Sequence, residues 1–133
     1  MERKEALAEL LPFVRILILD DEPNVAKPVQ FRLQQAGYPF VTFTSNIDTA
    51  WNELKNTNIL LIDHYLSYSG KNGIEFTREA KKEYGADLDV IIYSGSVDKL
   101  AQNALEAGAT ACLEKPLIFE YLQLWIQETA KRI

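Results

Sequence analysis

Residues 14–22 read VRILILDDE, a short apolar run that ends in three acidic side chains. Four later runs are also short and mostly apolar: 40–43, 59–62, 90–93 and 111–113. Most of them are nearly continuous in Val, Ile, Leu and Phe rather than alternating with polar residues. This pattern is typical of strands that are covered on both faces. The five runs therefore predict a parallel sheet with helices on either side.

The segments between the runs have helical spacing. After the first run, apolar residues recur every three or four positions, at Val25, Val29, Leu33 and Ala36. Gly37 then ends the pattern. Pro28 lies about one turn inside this segment, so we expect a late start or a slight kink. Asn72 stands three residues before Glu75, which predicts a capping box at the start of a helix that runs to Tyr84.

The last predicted helix covers residues 118–133, with Ile118, Leu122, Trp125, Ile126 and Thr129 on one face. Five runs that alternate with five helices predict an α/β fold, a (βα)5 doubly wound domain with a five-stranded parallel sheet. Residues 1–12 are predicted to form a helical extension before the domain at 13–133. In folds of this kind, functional residues collect where the strands end.

Composition excludes several classes of function. The chain has 133 residues, 14 basic against 19 acidic side chains and a formal charge of −5, which argues against direct nucleic acid binding. Its one cysteine, Cys112, excludes an internal disulfide. The amino terminus is charged and no apolar run approaches the ~20 residues of a membrane span. We expect a cytoplasmic protein without membrane contact.

Polar residues follow the predicted strands. They are Asp20, Asp21, Asp63, Ser94 and Lys115. Carboxylates brought this close together repel one another unless a cation lies between them, and Mg²⁺ prefers such oxygen ligands. We therefore expect Asp21 and Asp63 to bind the ion directly, and Asp20 mostly through water.

The same residues suit phosphoryl transfer. A carboxylate can attack phosphorus to form an aspartyl phosphate, and a divalent ion allows the phosphoryl group to approach an acidic cleft. Lys115 and Ser94 are donors that can bind the remaining phosphoryl oxygens.

Four stretches together resemble the receiver domain of two-component response regulators. They read ILILDDE at 16–22, LLID at 60–63, IIYSGS at 91–96 and GATACLEKP at 108–116. Each is weak alone, but the order and spacing of the motifs make the combination specific. The resemblance covers residues 15–133 and implies a flavodoxin-like sheet with strand order 2-1-3-4-5.

The resemblance also implies roles for single residues. Asp63 would accept a phosphoryl group from the phosphohistidine of a sensor histidine kinase or a phosphotransfer protein. Asp20, Asp21, Asp63 and the backbone carbonyl of Tyr65 would bind Mg²⁺.

Ser94 would move toward the phosphoryl group. Lys115 would bind it, and a cis peptide usually joins this lysine to a proline, here Pro116. A receiver of this kind is a switch rather than an enzyme, because it catalyses only its own phosphorylation and dephosphorylation. Because no sequence follows Ile133, we expect it to act on an unknown downstream protein or through an output domain outside this chain.

The loop after Asp63 and the position of Cys112 depart from the family pattern. The loop after Asp63 has Ser67 where proline is usual, and Gly73 comes two residues later than expected. Cys112 occupies the position, three before Lys115, that is usually aromatic. In this loop we expect His64 to be a surface neighbour of the nucleophile and the Tyr65 side chain to overhang the phosphoryl site.

Two other classes of protein remain for comparison. A pseudo-receiver that binds partners without using phosphate is favoured slightly by Cys112 and the long loop. Flavodoxins and aspartate-nucleophile phosphatases share the topology, but the sequence after the first strand, DDEP at 20–23, lacks a phosphate loop. The phosphatases also need a second Asp two residues after the nucleophile, and neither Asp20 nor Asp63 meets that spacing.

Overall fold

The computed structural model describes residues 13–66, 70–95 and 97–131, with the backbone alone at 97–99. The strands are β1 (Arg15–Leu19), β2 (Phe40–Thr44), β3 (Ile59–Asp63), β4 (Asp89–Ser94) and β5 (Ala111–Glu114). The helices are α1 (Pro23–Gln35), α2 (Ile47–Glu53), α3 (Gly73–Tyr84), α4 (Val97–Glu106) and α5 (Phe119–Ala130). The helix predicted at 1–12 lies outside the described residues.

All strand pairs are parallel, and the sheet has the order β2-β1-β3-β4-β5. This confirms the predicted (βα)5 flavodoxin-like fold. Each strand lies at or within one residue of its predicted run. None of the helices that the structure describes is long and apolar enough to cross a membrane.

The core has two layers because alternate strand residues face opposite sides of the sheet. Leu60 and Ile62 of β3 pack in the layer beneath α2, α3 and α4, while Ile59 and Leu61 pack in the layer beneath α1 and α5. Every residue of β3 is buried. Polar side chains of β3 therefore have room only at its end, where Asp63 stands.

Of the late start or slight kink expected for α1, the late start is wrong, since the helix begins at Pro23 and continues through Pro28. Pro23 suits the first helical position because that residue needs no N–H partner and its φ is preset. Pro28 removes the hydrogen bond to the carbonyl of Asn24, and Asn24 is exposed, so water can replace the missing donor.

The predicted capping box of α3 and the predicted glycine stop of α1 are confirmed, whereas α5 ends at Ala130, before its predicted end. Asn72 and Glu75 form the reciprocal capping box of α3. Gly37 has a positive φ of 108° just after α1, and Gly108 one of 104° just after α4, as a glycine stop requires. The apolar face of α5 is narrower than predicted.

In that helix, Leu122, Ile126 and Thr129 are buried, but Ile118 and Trp125 are exposed. Ile118 precedes the first turn as the N-cap residue, so its side chain lies outside the helical stripe. Trp125 lies at the border of the stripe, next to the amino-terminal ends of the strands, where Phe13 and Arg15 are among its neighbours in a shared groove.

Gly73 lets α3 begin directly against the end of β3. Its N–H donates to the carbonyl of His64 at 2.8 Å. A Cβ at this position would lie 2.8 Å from both the carbonyl oxygen of Asp63 and the Cα of His64. These are backbone atoms that cannot rotate away, so the close approach requires glycine.

We expect Gly73→Ala to lower the free energy of unfolding by about 1–3 kcal/mol, the usual cost of forcing extra atoms into a packed site. Gly95→Ala is the matched control, because a Cβ there has no heavy atom within 4 Å. Urea unfolding of both variants measures the difference. Equal stability of the two variants would contradict the close approach.

Candidate functional site

The polar residues predicted from the sequence meet at the carboxyl edge of the sheet. Asp20 directly follows β1, Asp63 ends β3, Ser94 ends β4 and Lys115 directly follows β5. Because these strands are parallel, their carboxyl ends reach the same edge. The tertiary structure thus brings together residues that are up to 95 positions apart.

Three carboxylates form the acidic part of the site. Asp20, Asp21 and Asp63 each have an oxygen within 4.8 Å of the others. Asp20 and Asp63 are buried, whereas Asp21 is half-buried. Oxygen donors of this number and spacing fit a hard divalent cation such as Mg²⁺, which usually binds through one or two carboxylates and keeps several waters.

Both oxygens of Asp63 accept hydrogen bonds. The Lys115 ammonium donates to Oδ2 at 2.8 Å, and the backbone N–H of Tyr65 donates to Oδ1 at 3.1 Å. Burial lowers the pKa of Lys115, but the hydrogen bond to Asp63 and the nearby negative charges outweigh this effect and raise it. Lys115 therefore stays protonated as the cation that faces Asp63.

Asp20 is also held through both oxygens. The Tyr93 hydroxyl donates to Oδ2 at 2.7 Å, and the backbone N–H of Glu22 donates to Oδ1 at 2.8 Å. Burial raises the pKa of Asp20 despite these two bonds, and the charge of Asp63 raises it further. The site thus contains a buried carboxylate whose charge is only partly compensated by its neighbours.

Tyr93 is the residue of this site that the sequence motifs did not indicate. Its aromatic ring lies 5.5 Å from the Lys115 ammonium, and its hydroxyl lies against Asp20. A tyrosine in an apolar run resembles an ordinary core residue, so the only available signal was its place directly before Ser94. Its partner Asp20 becomes evident only when the strand order is known.

Ser94 is fully buried at the end of β4, and its carbonyl accepts the Lys115 N–H at 3.0 Å. The peptide bond between Lys115 and Pro116 is cis, as the family resemblance implied. Cys112 is half-buried and lies beside Ile92 in the register of β4 and β5, where it packs against the core layer under α4.

The expectation that His64 lies at the surface is wrong. Its side chain is buried, and its Nδ1 has no hydrogen-bond partner among the described residues. Burial lowers its pKa, while the charges of Asp63 and Glu75 act in the opposite direction. The backbone at position 64 is fixed by hydrogen bonds to Tyr93 on one side and Gly73 on the other.

The Tyr65 side chain is 54% exposed, and its ring meets the His64 ring edge-on at 4.9 Å between centroids. With His64, the same side chain borders an open groove that Gly70 and Lys71 also line. Among the described residues, the Tyr65 ring therefore contacts His64 and forms part of the wall of this groove. Part of the predicted long loop, residues 67–69, lies outside the described residues.

The five-stranded parallel sheet, with an acidic cluster and a lysine at its carboxyl edge, places the protein among α/β domains whose site lies where the strands end. A family model for the response regulator receiver domain matches residues 16–127 of the chain. The chain therefore belongs to the response regulator receiver domain family.

Solved structures agree with this assignment. The receiver domain of NtrX from Brucella abortus is 25% identical, with a TM-score of 0.81 over 89% of this chain and 99% of that one. The BeF3-activated DrrB receiver domain is 27% identical, with a TM-score of 0.78 over 90% and 99%. A CheY-like receiver domain protein from Methanospirillum hungatei is 25% identical, with a TM-score of 0.77 over 90% and 95%.

The charge of Asp20 should make stability depend on pH. Since the pKa of Asp20 is raised, the native state binds this proton more tightly than the unfolded chain. The destabilising effect of the carboxylate is therefore absent below its unfolded value of 3.8 and develops as pH rises through the native pKa. In metal-free buffer, Asp20→Asn should be more stable than wild type at pH 8, by on the order of 1 kcal/mol.

Urea unfolding at pH 8 and pH 5 with EDTA measures this effect, and the advantage of the variant should shrink at the lower pH. Asp87→Asn is the control, because Asp87 is exposed and lies at the opposite end of the sheet. A variant less stable than wild type at both pH values would mean that the two hydrogen bonds to Asp20 outweigh its buried charge.

Proposed function

We propose that this chain is a phosphoryl-accepting receiver, in which Asp63 takes the phosphoryl group from the phosphohistidine of a sensor histidine kinase or a phosphotransfer protein. One observation carries the proposal. Asp63 is the buried carboxylate that ends the central strand, and it lies between the Lys115 ammonium and two further carboxylates. That arrangement suits a nucleophile whose product bears additional negative charge.

Asp20, Asp21 and Asp63 would hold Mg²⁺, with the backbone carbonyl of Tyr65 as the remaining protein ligand. When bound, the ion would neutralise the carboxylates and orient phosphoryl oxygens. The spacing of the three carboxylates supports this assignment.

In the proposed transfer, an oxygen of Asp63 forms a bond to phosphorus as the bond between phosphorus and the histidine nitrogen breaks. Lys115 exchanges its present hydrogen bond with Asp63 Oδ2 for one with a phosphoryl oxygen. The Ser94 hydroxyl turns toward a second phosphoryl oxygen from the end of β4. These donors are charged or buried, which strengthens their bonds to a dianionic group.

The receiver family consists of phosphoacceptor switches rather than ordinary enzymes. We propose that this member catalyses only its own phosphorylation and dephosphorylation, in the cytoplasm, and signals through a downstream protein or an output domain. The similar DrrB receiver domain is activated by BeF3, which supports a comparable response here. We further propose that residues 13–133 form the receiver and 1–12 a helical extension.

A protein-interaction module that does not use phosphate is the second candidate. Cys112 favours it, because a small side chain at this place cannot fill the space that Ser94 would leave on moving. The complete set of carboxylates and the Lys115–Asp63 contact favour the first candidate.

Asp63→Asn should abolish phosphorylation, since the amide keeps the shape of the carboxylate but is not a nucleophile. After incubation with acetyl phosphate and Mg²⁺, intact-mass spectrometry should show one added phosphoryl group on wild type and none on the variant. Asp87→Asn should be labelled as wild type. An undiminished adduct on Asp63→Asn would mean that another residue accepts the phosphoryl group. An unlabelled wild type would favour the interaction module.

Mg²⁺ should raise the melting temperature of wild type, because a ligand that binds only the native state stabilises it by mass action. Asp21→Ala should lose most of this increase, whereas Asp87→Ala should keep it. Thermal unfolding monitored by circular dichroism over a range of Mg²⁺ concentrations compares the three proteins. Identical responses would contradict the assignment of Asp21 as a metal ligand.

A further inference from the structure

Tyr93 reaches across the central strand of the sheet. It lies on β4, opposite Asp63 of β3 in the register, while its hydrogen-bond partner Asp20 follows β1 on the far side of β3. Two strands that flank the same strand, as β1 and β4 flank β3, are about 9.5 Å apart. A side chain as long as tyrosine is needed to span much of that distance.

The bond to Tyr93 completes the restraint of Asp20. The hydroxyl of Tyr93 holds Oδ2, and the N–H of Glu22 holds Oδ1. The two donors come from different parts of the fold, so rotation of the carboxylate in either direction breaks one bond. Because Asp20 is buried, an oxygen that lost its donor would carry the desolvation cost of an unpaired polar atom.

The ring of Tyr93 has a second contact in the site. The Lys115 ammonium lies 5.5 Å from the ring centroid, within the range in which a cation is attracted to an aromatic face. Lys115 in turn donates to Asp63. One buried side chain therefore touches both the acidic cluster and the cation that opposes it.

We propose that Tyr93 is a positioning residue of the metal site, whose hydroxyl sets the orientation of Asp20 before the cation binds. The inference rests on the proposed function, since it assumes that the three carboxylates hold Mg²⁺. A residue that holds a metal-binding side chain in place raises the affinity for the metal, because a side chain that is free to rotate must be ordered when the metal binds. Tyr93 would thus act through Asp20, to which its hydroxyl donates, rather than as a ligand.

The test compares Tyr93→Phe with Tyr38→Phe. Tyr38 is an equally buried tyrosine of the same core layer, and its hydroxyl has no hydrogen-bond partner among the described residues. Both variants lose one buried hydroxyl, but only the first loses a bond to the site. This pairing separates the role in the metal site from a general effect on the core.

Magnesium affinity is measured by NMR titration of Mg²⁺ alone, following the amide signals of Glu22 and Tyr65, whose N–H groups donate to Asp20 and Asp63. Tyr93→Phe should bind Mg²⁺ about tenfold more weakly than wild type. Tyr38→Phe should bind as wild type. In metal-free protein, the Glu22 amide should exchange with solvent faster in Tyr93→Phe only.

A double-mutant cycle adds a readout that a purely structural role would not change. If the hydroxyl acts through Asp20, Tyr93→Phe should weaken Mg²⁺ binding little in an Asp20→Asn background. Equal affinity of Tyr93→Phe and wild type, or equal losses in both tyrosine variants, would overturn the positioning role. A wild type that shows no Mg²⁺-dependent shifts would refute the metal assignment itself, and this inference with it.

Discussion

The burial of β3 along its whole length is the constraint on which the rest of the structure depends. A strand covered on both faces and flanked by two neighbours has no contact with water except at its ends. Asp63 is at such an end, but it is still buried, so its charge must be met by protein donors. The Lys115 ammonium and the Tyr65 amide are such donors.

At the carboxyl end of the sheet, β4 contributes side chains to both core layers. Side chains of β4 alternate, so Tyr93 belongs to the layer under α1 and α5, while Ile92 belongs to the layer under α2, α3 and α4. Tyr93 links the first layer to Asp20, and Cys112 lies beside Ile92 in the second. The large Tyr93 side chain thus lies in one core layer, and the small Cys112 side chain packs against the other.

The region directly after Asp63 combines a buried polar side chain with an exposed aromatic one. His64 was expected at the surface because it is the single histidine of the sequence and no partner for it was evident. Its backbone bonds to both Tyr93 and Gly73, and the absence of a Cβ at Gly73 lets α3 begin against it. The imidazole is buried at this place, whereas the neighbouring Tyr65 ring is exposed.

For the residues that the structure describes, the sequence predicted the number, order and type of the five strands and of helices α1 to α5, because apolar runs and caps such as Asn72 are local signals. It also identified Asp20, Asp21, Asp63 and Lys115 as a group, since parallel strands end at one edge. Only the tertiary structure showed that Tyr93 bonds to Asp20 and that His64 is buried. Those features depend on distances between segments that are not neighbours in the chain, and no local pattern records such distances.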